Sequence, residues 1–336
     1  VATHFGRDHA PHKYERFAMK RMMLRLRRGF KRASDALVGK LAITVLSGLR
    51  LIDADKMADF AGGFMRVIGP LLPENRIGRA NLAAAFPEKS KIEIDAILRG
   101  CWDNLGRMGA EFAHLDRLWN VDPEQPPERS RIELAQPDID RFLRLLNDGK
   151  PALIFAAHLA NWELPAVCAA THKLDSAVLY RRPNISGIDR WLTETRTASM
   201  GEMISTDLYA PVKISEALER GAHVGMLVDQ YYVRGVPVTF FGRRTMANPL
   251  LARLARHFNC PIHGTRIVRL ANHRFRAELT DEIKPALDAG GTIDVAGTMQ
   301  IITSVIEGWI REHPEQWLWM HRRWRPEEPQ PANGRF

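Results

Sequence analysis

From about residue 130 onward the chain alternates short apolar runs with segments of helical periodicity, and this alternation restricts the fold more than any other feature. Strand-like runs fall at 131–135, 151–157, 176–180, 223–228, 236–240, 261–268 and 274–280, and helical patterns at 137–148, 162–172, 186–200, 211–220, 247–258 and 293–312. Runs such as Ala152 to Ala157 are apolar at consecutive positions, as in strands covered on both faces. The alternation predicts an α/β domain whose sheet is mixed but largely parallel, flanked by helices. In such sheets the chemistry sits beyond the carboxyl ends of the strands.

Upstream, residues 75–118 read as helical with a break at Phe86-Pro87, and 121–129 is a proline-rich linker. The chain therefore divides into an arm at 1–35, a helical region at 36–120, the α/β domain at 130–326 and a tail at 327–336. The stretch 36–72 reads as two apolar helices, the second weakened by Gly62-Gly63. They are expected to pack on the α/β domain or to dip into one leaflet, and a single membrane pass near 37–52 stays open. No run reaches the roughly 18 uncharged apolar residues of a clear spanning helix.

Net charge is +9, and residues 1–32 hold most of it: ten Lys or Arg stand against Asp8 and Glu15. Met19, Met22, Met23, Leu26 and Phe30 share one helical face there, and basic residues cover the rest. Such a basic amphipathic helix suits an interface of anionic lipids. A solvated arm is the plainer alternative. Nucleic acid is not expected, because aromatic residues for base stacking are not interleaved. Cys101, Cys168 and Cys260 are far apart and lie beside apolar residues, so they read as reduced core thiols. No His/Cys/Asp cluster has metal-ligand spacing, and no metal or cofactor is expected.

The run at 151–157 ends on His158, followed by a polar turn and a helix start, with Glu163 five positions on. A strand-to-helix turn folds the chain back, so the carboxylate can orient the imidazole, an arrangement suited to a general base acting on a hydroxyl. Asn161 reads as the helix N-cap. The same spacing recurs at His273 and Glu278, but inside a strand-like segment it puts the two side chains on opposite faces, more than about 15 Å apart. Asp229 ends another apolar strand, where a turn former or a site acid are both admissible. Arg196 lies on the helix at 186–200. Paired arginines at Arg181-Arg182, Arg243-Arg244 and Arg322-Arg323 read either as solvated surface or as an anion-binding set.

Taken in order, Arg-Ala-Asn-Leu-Ala-Ala-Ala-Phe-Pro-Glu (79–88), His-Leu-Ala-Asn-Trp-Glu-Leu (158–164), Tyr-Arg-Arg-Pro-Asn (180–184), Asp-Gln (229–230), Phe-Phe-Gly (240–242) and Pro-Glu-Gln-Trp-Leu-Trp-Met-His-Arg-Arg-Trp (314–324) resemble the late acyltransferases of lipid A biosynthesis, the lauroyl/myristoyl transferase family. These are relatives of the glycerolipid acyltransferases with an His-x4-Asp/Glu signature. The resemblance spans roughly 36–326. It departs after Phe-Phe-Gly, where the family's alanine and threonine are replaced by Arg-Arg-Thr-Met-Ala-Asn-Pro (243–249).

The resemblance implies a glycerolipid acyltransferase-like fold with a membrane-associating N-terminal region at the bacterial inner membrane, its catalytic domain facing the cytoplasm. It implies acyl transfer from an acyl carrier protein thioester to a hydroxyl of a lipid A precursor. His158 and Glu163 would form the general-base dyad, with Arg196 and Asp229 ordering the site. The turn amides near 159–162 would stabilise the oxyanion. Asn161, Arg181, Arg182, Arg243, Arg244, Arg322 and Arg323 would contact substrate or the acidic carrier. A lysophospholipid or glycolipid acyltransferase, and a non-catalytic module that binds membrane lipids, are the competing readings.

Overall fold

The computed structural model describes residues 48, 50–121, 129–181 and 186–325, without the side chains of 186–192. The basic arm, most of the 37–52 segment, most of the linker, Arg182 and the tail lie outside the described residues.

Among the described residues there are nine strands: β1 (Ile132–Leu134), β2 (Leu153–Ala156), β3 (Ser176–Tyr180), β4 (Glu202–Ser205), β5 (His223–Leu227), β6 (Val236–Phe240), β7 (Arg243–Ala247), β8 (Ile262–Arg269) and β9 (Phe275–Leu279). Seven of them form one sheet in the order β1-β9-β8-β2-β5-β3-β4, parallel at each pairing except β8 with β9. The expected mixed, largely parallel sheet is present. Strands β4 and β7 are absent from the sequence reading. Glu202–Ser205 is a four-residue edge strand, and Arg243–Ala247 is a polar arm of the β6/β7 hairpin, so neither carries the apolar run that announces a covered strand.

Ten helices accompany the strands among the described residues: α1 (Ala54–Ile68), α2 (Glu74–Ala85), α3 (Lys91–Glu111), the single turn α4 (Leu115–Leu118), α5 (Gln136–Asn147), α6 (Leu164–Thr171), α7 (Ser186–Met200), α8 (Ala210–Glu219), α9 (Leu250–Phe258) and α10 (Val295–Glu312). Several boundaries have a local cause. Ser90 and Glu93 form a reciprocal capping box at α3, and Asp53 and Asp294 accept from the first-turn amides of α1 and α10. Phe86 ends α2 before Pro87, as the sequence predicts.

The glycine pair does not interrupt α1. Gly62 is buried where α1 crosses α3, and a Cβ there would stand 2.7 Å from an Asp103 carboxylate oxygen. The close crossing, bridged by Arg107 to Asp59 and by Arg66 to Asp103, outweighs the poor helix propensity of glycine. The opposite side of α1 leaves Phe60, Phe64 and Val67 more than half exposed, with Leu71 following. Among the described residues no helix is long and apolar enough to cross a membrane.

Two apolar clusters sandwich the sheet. On one face Leu153, Phe155 and Val224 pack with Leu218 of α8, Leu251 of α9, Ile302 and Ile306 of α10, and also with Leu98 and Trp102 of α3. On the other, Leu164 and Val167 of α6 pack with Leu115, Leu118, Ile132 and Ile267. Helices α2 and α3 thus share one core with the sheet. With β5 lying between β2 and β3, the carboxyl ends of β2 and β5 are neighbours, and the segments leaving them meet.

Candidate active site

His158 follows β2 and Asp229 follows β5, so the parallel register that pairs Ala156 with Leu227 brings both to one level. The His158 backbone N–H donates to Asp229 Oδ2 at 2.9 Å, and His158 Nδ1 stands 2.8 Å from Asp229 Oδ1. Trp317 Nε1–H also donates to Oδ2, at 2.7 Å. Burial opposes ionisation of Asp229, but the His158 charge and hydrogen bonds, with help from His321, hold its carboxyl well below the usual carboxylate range. An ionised carboxylate only accepts, so Nδ1 carries a proton and Nε2 presents its lone pair. Nε2 points toward the Gln230 amide, 3.3 Å away, and Trp162 meets the imidazole edge-on at 5.0 Å.

The expected direct pairing of Glu163 with His158 is replaced by this geometry. Glu163 is buried and takes both arms of Arg196, Nη2 to Oε1 at 2.5 Å and Nε to Oε2 at 3.1 Å. The Arg196 guanidinium also lies 5.4 Å from the Phe112 ring and 5.9 Å from the Tyr180 ring. Sequence distance favoured Glu163, whereas strand register delivers an acid from 71 residues away to Nδ1. The site therefore consists of two adjoining pairs, His158–Asp229 and Glu163–Arg196. The second spacing stays apart, as expected: His273 approaches Asp59, and Glu278 pairs with Arg266.

The turn between His158 and α6 is held from below. Ala160 adopts φ 47°, a left-handed conformation rare for a residue with a Cβ. Its N–H donates to the Gln316 carbonyl at 2.9 Å, and its own carbonyl accepts from Asn104 Nδ2. Asn161 is fully buried. Its Oδ1 accepts from the Glu163 amide and its Nδ2 donates to Glu111, so it holds the turn and is not placed to meet substrate. The helix begins at Leu164 with Glu163 as its N-cap, two residues later than an Asn161 cap would put it. Glu111 in turn forms a buried pair with Arg269, whose Nε–H donates to Asn104 Oδ1 at 2.8 Å. Of the turn amides expected to meet an oxyanion, Leu159 donates to Ala157 and Ala160 to Gln316.

A cavity of about 880 Å³ opens beside His158. Glu163, Arg196, Trp162, Arg181 and Gln230 line its polar end, and Ile154, Val178, Met226, Ile267 and Phe142 are among its apolar walls. Arg181 is exposed at this rim, while Arg182 lies outside the described residues. Arg243, Arg244 and Arg322 are exposed, the first stacking 5.2 Å from the Trp324 ring. Arg323 departs from the expected anion-binding set. It is 1% exposed and donates to Thr245 Oγ1 and the Met246 carbonyl. Burial lowers its pKa to about 10. Its neighbour in sequence, Arg322, faces solvent.

All three cysteines are free thiols. Cys168 lines the cavity, yet burial pushes its thiol up to about 12, which opposes the thiolate a nucleophile needs. Among the described residues no three His, Cys, Asp or Glu side chains gather in a metal-holding group. The site thus offers a base held in one tautomer, a cation beside it, and an apolar cavity running inward.

The sequence model of the bacterial lipid A biosynthesis acyltransferases matches residues 27–326, most of the chain. The chain belongs to that family. It is therefore an acyltransferase of lipid A biosynthesis, and the resemblance carried by the sequence motifs holds. No curated protein sequence matches it.

In this acyltransferase, motif blocks far apart in sequence meet at the site. The terminal block reaches the site through Trp317, whose segment bridges to Leu159, and the Leu318 amide donates to the His158 carbonyl. Sequence reasoning singled out that block for its arginines and missed Trp317 as a donor to Asp229. It also missed Glu111, Asn104, Arg269 and Gln316. A polar residue inside an apolar pattern, as Glu111 is near the end of α3, was the available signal.

Proposed function

We propose that this acyltransferase moves a fatty acyl chain from an acyl carrier protein thioester to a hydroxyl of a lipid A precursor at the inner membrane, on its cytoplasmic side. The observation that carries the reading is His158, fixed by ionised Asp229 with its Nε2 lone pair at the mouth of an apolar cavity. The acyl chain lies in the cavity and the thioester carbonyl stands beside Nε2.

The acceptor hydroxyl displaces the Gln230 amide and gives its proton to His158 Nε2. Its oxygen bonds to the thioester carbon, and the carbonyl becomes a tetrahedral oxyanion. Asp229 stabilises the imidazolium formed in this step. Arg196, held at the cavity by Glu163, supplies the positive charge that faces the oxyanion. Collapse of the intermediate breaks the carbon–sulfur bond, and the departing thiolate takes the proton from His158. No acyl-enzyme forms.

Arg181, Arg243, Arg244 and Arg322 give the surface positive charges suited to an acidic carrier and to acceptor phosphates. The exposed apolar ridge of Phe60, Phe64 and Val67 supports contact with the membrane by the 36–120 region, with the basic arm adding attraction to anionic lipids.

The test is acyl transfer by detergent-purified protein, wild type beside His158→Ala, with an acyl carrier protein thioester as donor and product mass as readout. One added acyl group on a lipid A precursor, lost in the variant, is the expected result. Transfer only to a lysophospholipid would overturn the acceptor, and full turnover by the variant would overturn the base.

A further inference from the structure

The cavity lining includes two polar side chains, Ser176 and His223, that the chemistry at His158 does not use. Positions 154 and 156 of β2, 176, 178 and 180 of β3, and 223, 225 and 227 of β5 share one face of the sheet, and that face walls the cavity. Ser176 and His223 are directly opposed in the β3/β5 register. His223 is 4% exposed, yet neither ring nitrogen has a hydrogen-bond partner, nor has Ser176 Oγ. Burial lowers the His223 pKa, the nearby His263 adds to this, and the Asp148 and Asp175 charges and the Asp175 carbonyl oppose it. A neutral imidazole has one donor and one acceptor, and a serine hydroxyl has both. Buried polar groups of this kind pair with water or with a ligand.

Depth follows from register. Ala156 faces Leu227, so His223 lies level with position 152, six residues below His158. At about 3.3 Å per residue this is roughly 20 Å. An extended acyl chain advances about 1.25 Å per carbon, the projection of a 1.5 Å C–C bond, so about 16 carbons span the distance. The path between is open. Gly225 stands midway, and a Cβ added there would meet nothing closer than 4.0 Å.

We propose that Ser176 and His223 form a binding subsite for a hydroxyl group on the distal end of the donor acyl chain. This rests on the acyl chain occupying the cavity, as in the proposed function. A plain alkyl end that reaches this depth buries both groups without partners. A hydroxyl at the same depth donates to one and accepts from the other. Sites built to pair a hydroxyl reject the analogue that lacks it far more strongly than apolar pockets reject a methylene.

The experiment compares hexadecanoyl and 16-hydroxyhexadecanoyl thioesters of an acyl carrier protein as donors, and calorimetric binding of the two free acids to the full chain. Wild type is expected to favour the hydroxylated donor and acid by about tenfold or more. In the His223→Leu, Ser176→Ala double variant the ratio falls to about one, while His223→Gln, which keeps a donor and an acceptor, retains the preference. Thermal melting verifies that the variants fold; removing an unpaired polar group should not lower Tm. Equal use and equal binding of the two chains by wild type, or an unchanged ratio in the double variant, overturns the subsite. Gly225→Leu separates this from failure of the underlying reading. It plugs the lumen above Ser176, so loss of both hexadecanoyl species is expected, and undiminished use and binding of both would mean that the chain lies elsewhere.

Discussion

Replacing Asp229 by asparagine removes one charge and one acceptor from a side chain buried to 0% exposure. Its Oδ2 accepts from two fixed donors, the His158 backbone N–H at 2.9 Å and Trp317 Nε1–H at 2.7 Å. The amide oxygen of asparagine must occupy that position, because the NH2 group cannot accept. The NH2 group then faces His158 Nδ1, which stood 2.8 Å from Oδ1. To avoid opposing donors, the imidazole moves its proton to Nε2 and accepts at Nδ1. That is the tautomer that cannot take a proton from the acceptor hydroxyl. Loss of a correctly held tautomer lowers turnover by about 10³–10⁴-fold. Stability changes far less, because every donor keeps a partner; the loss is that of one charge-assisted hydrogen bond, about 1.5–3 kcal/mol. The assay is single-turnover acyl transfer read by mass, alongside thermal unfolding. Turnover within tenfold of wild type for a folded Asp229→Asn protein refutes the tautomer argument.

Glu163→Ala leaves Arg196 without its partner in a largely buried setting and should cost about 3–5 kcal/mol by denaturant unfolding, whereas the Glu163→Gln, Arg196→Met double variant should cost less; equal losses would mean that the pair is not coupled. Cys168→Ala should keep transfer within about tenfold, and a trapped acyl group on Cys168 by mass spectrometry would contradict direct transfer, since a thiol with a pKa of about 12 is almost wholly protonated near neutrality. Asp229 ionises more readily folded than unfolded, so its contribution to stability is present above its ordinary pKa of 3.8 and fades as pH falls through the lower folded value. Between pH 5 and 3, Tm should therefore fall with a smaller proton-uptake contribution from this site than in the unfolded chain, and Asp229→Asn should flatten the strongly acidic limb; superimposable Tm profiles for the two proteins would exclude the linkage. Glu111→Ala should strand buried Arg269 and loosen the turn at Ala160, lowering both Tm and turnover, and unchanged values for both would remove Glu111 from the support of the site.

Local sequence determined the elements. Apolar runs marked the covered strands, caps and prolines marked helix ends, and the spaced motif blocks pointed to the acyltransferase family, because each signal is carried by residues near one another in the chain. His158, Glu163, Arg196 and Asp229 were all legible as polar residues at the ends of strands or on facing helices. Their partners were not. The register of β2 with β5 set Asp229 against His158, and the passage of the terminal tryptophan segment beneath the turn added Trp317. The same applies to Arg322 and Arg323, adjacent in sequence and opposite in environment, and to the unpaired Ser176 and His223, which read only as strand starts. Periodicity reports which residues a strand presents to each face. Which strand lies beside it depends on long-range pairing, and in this protein that pairing sets Asp229 against His158.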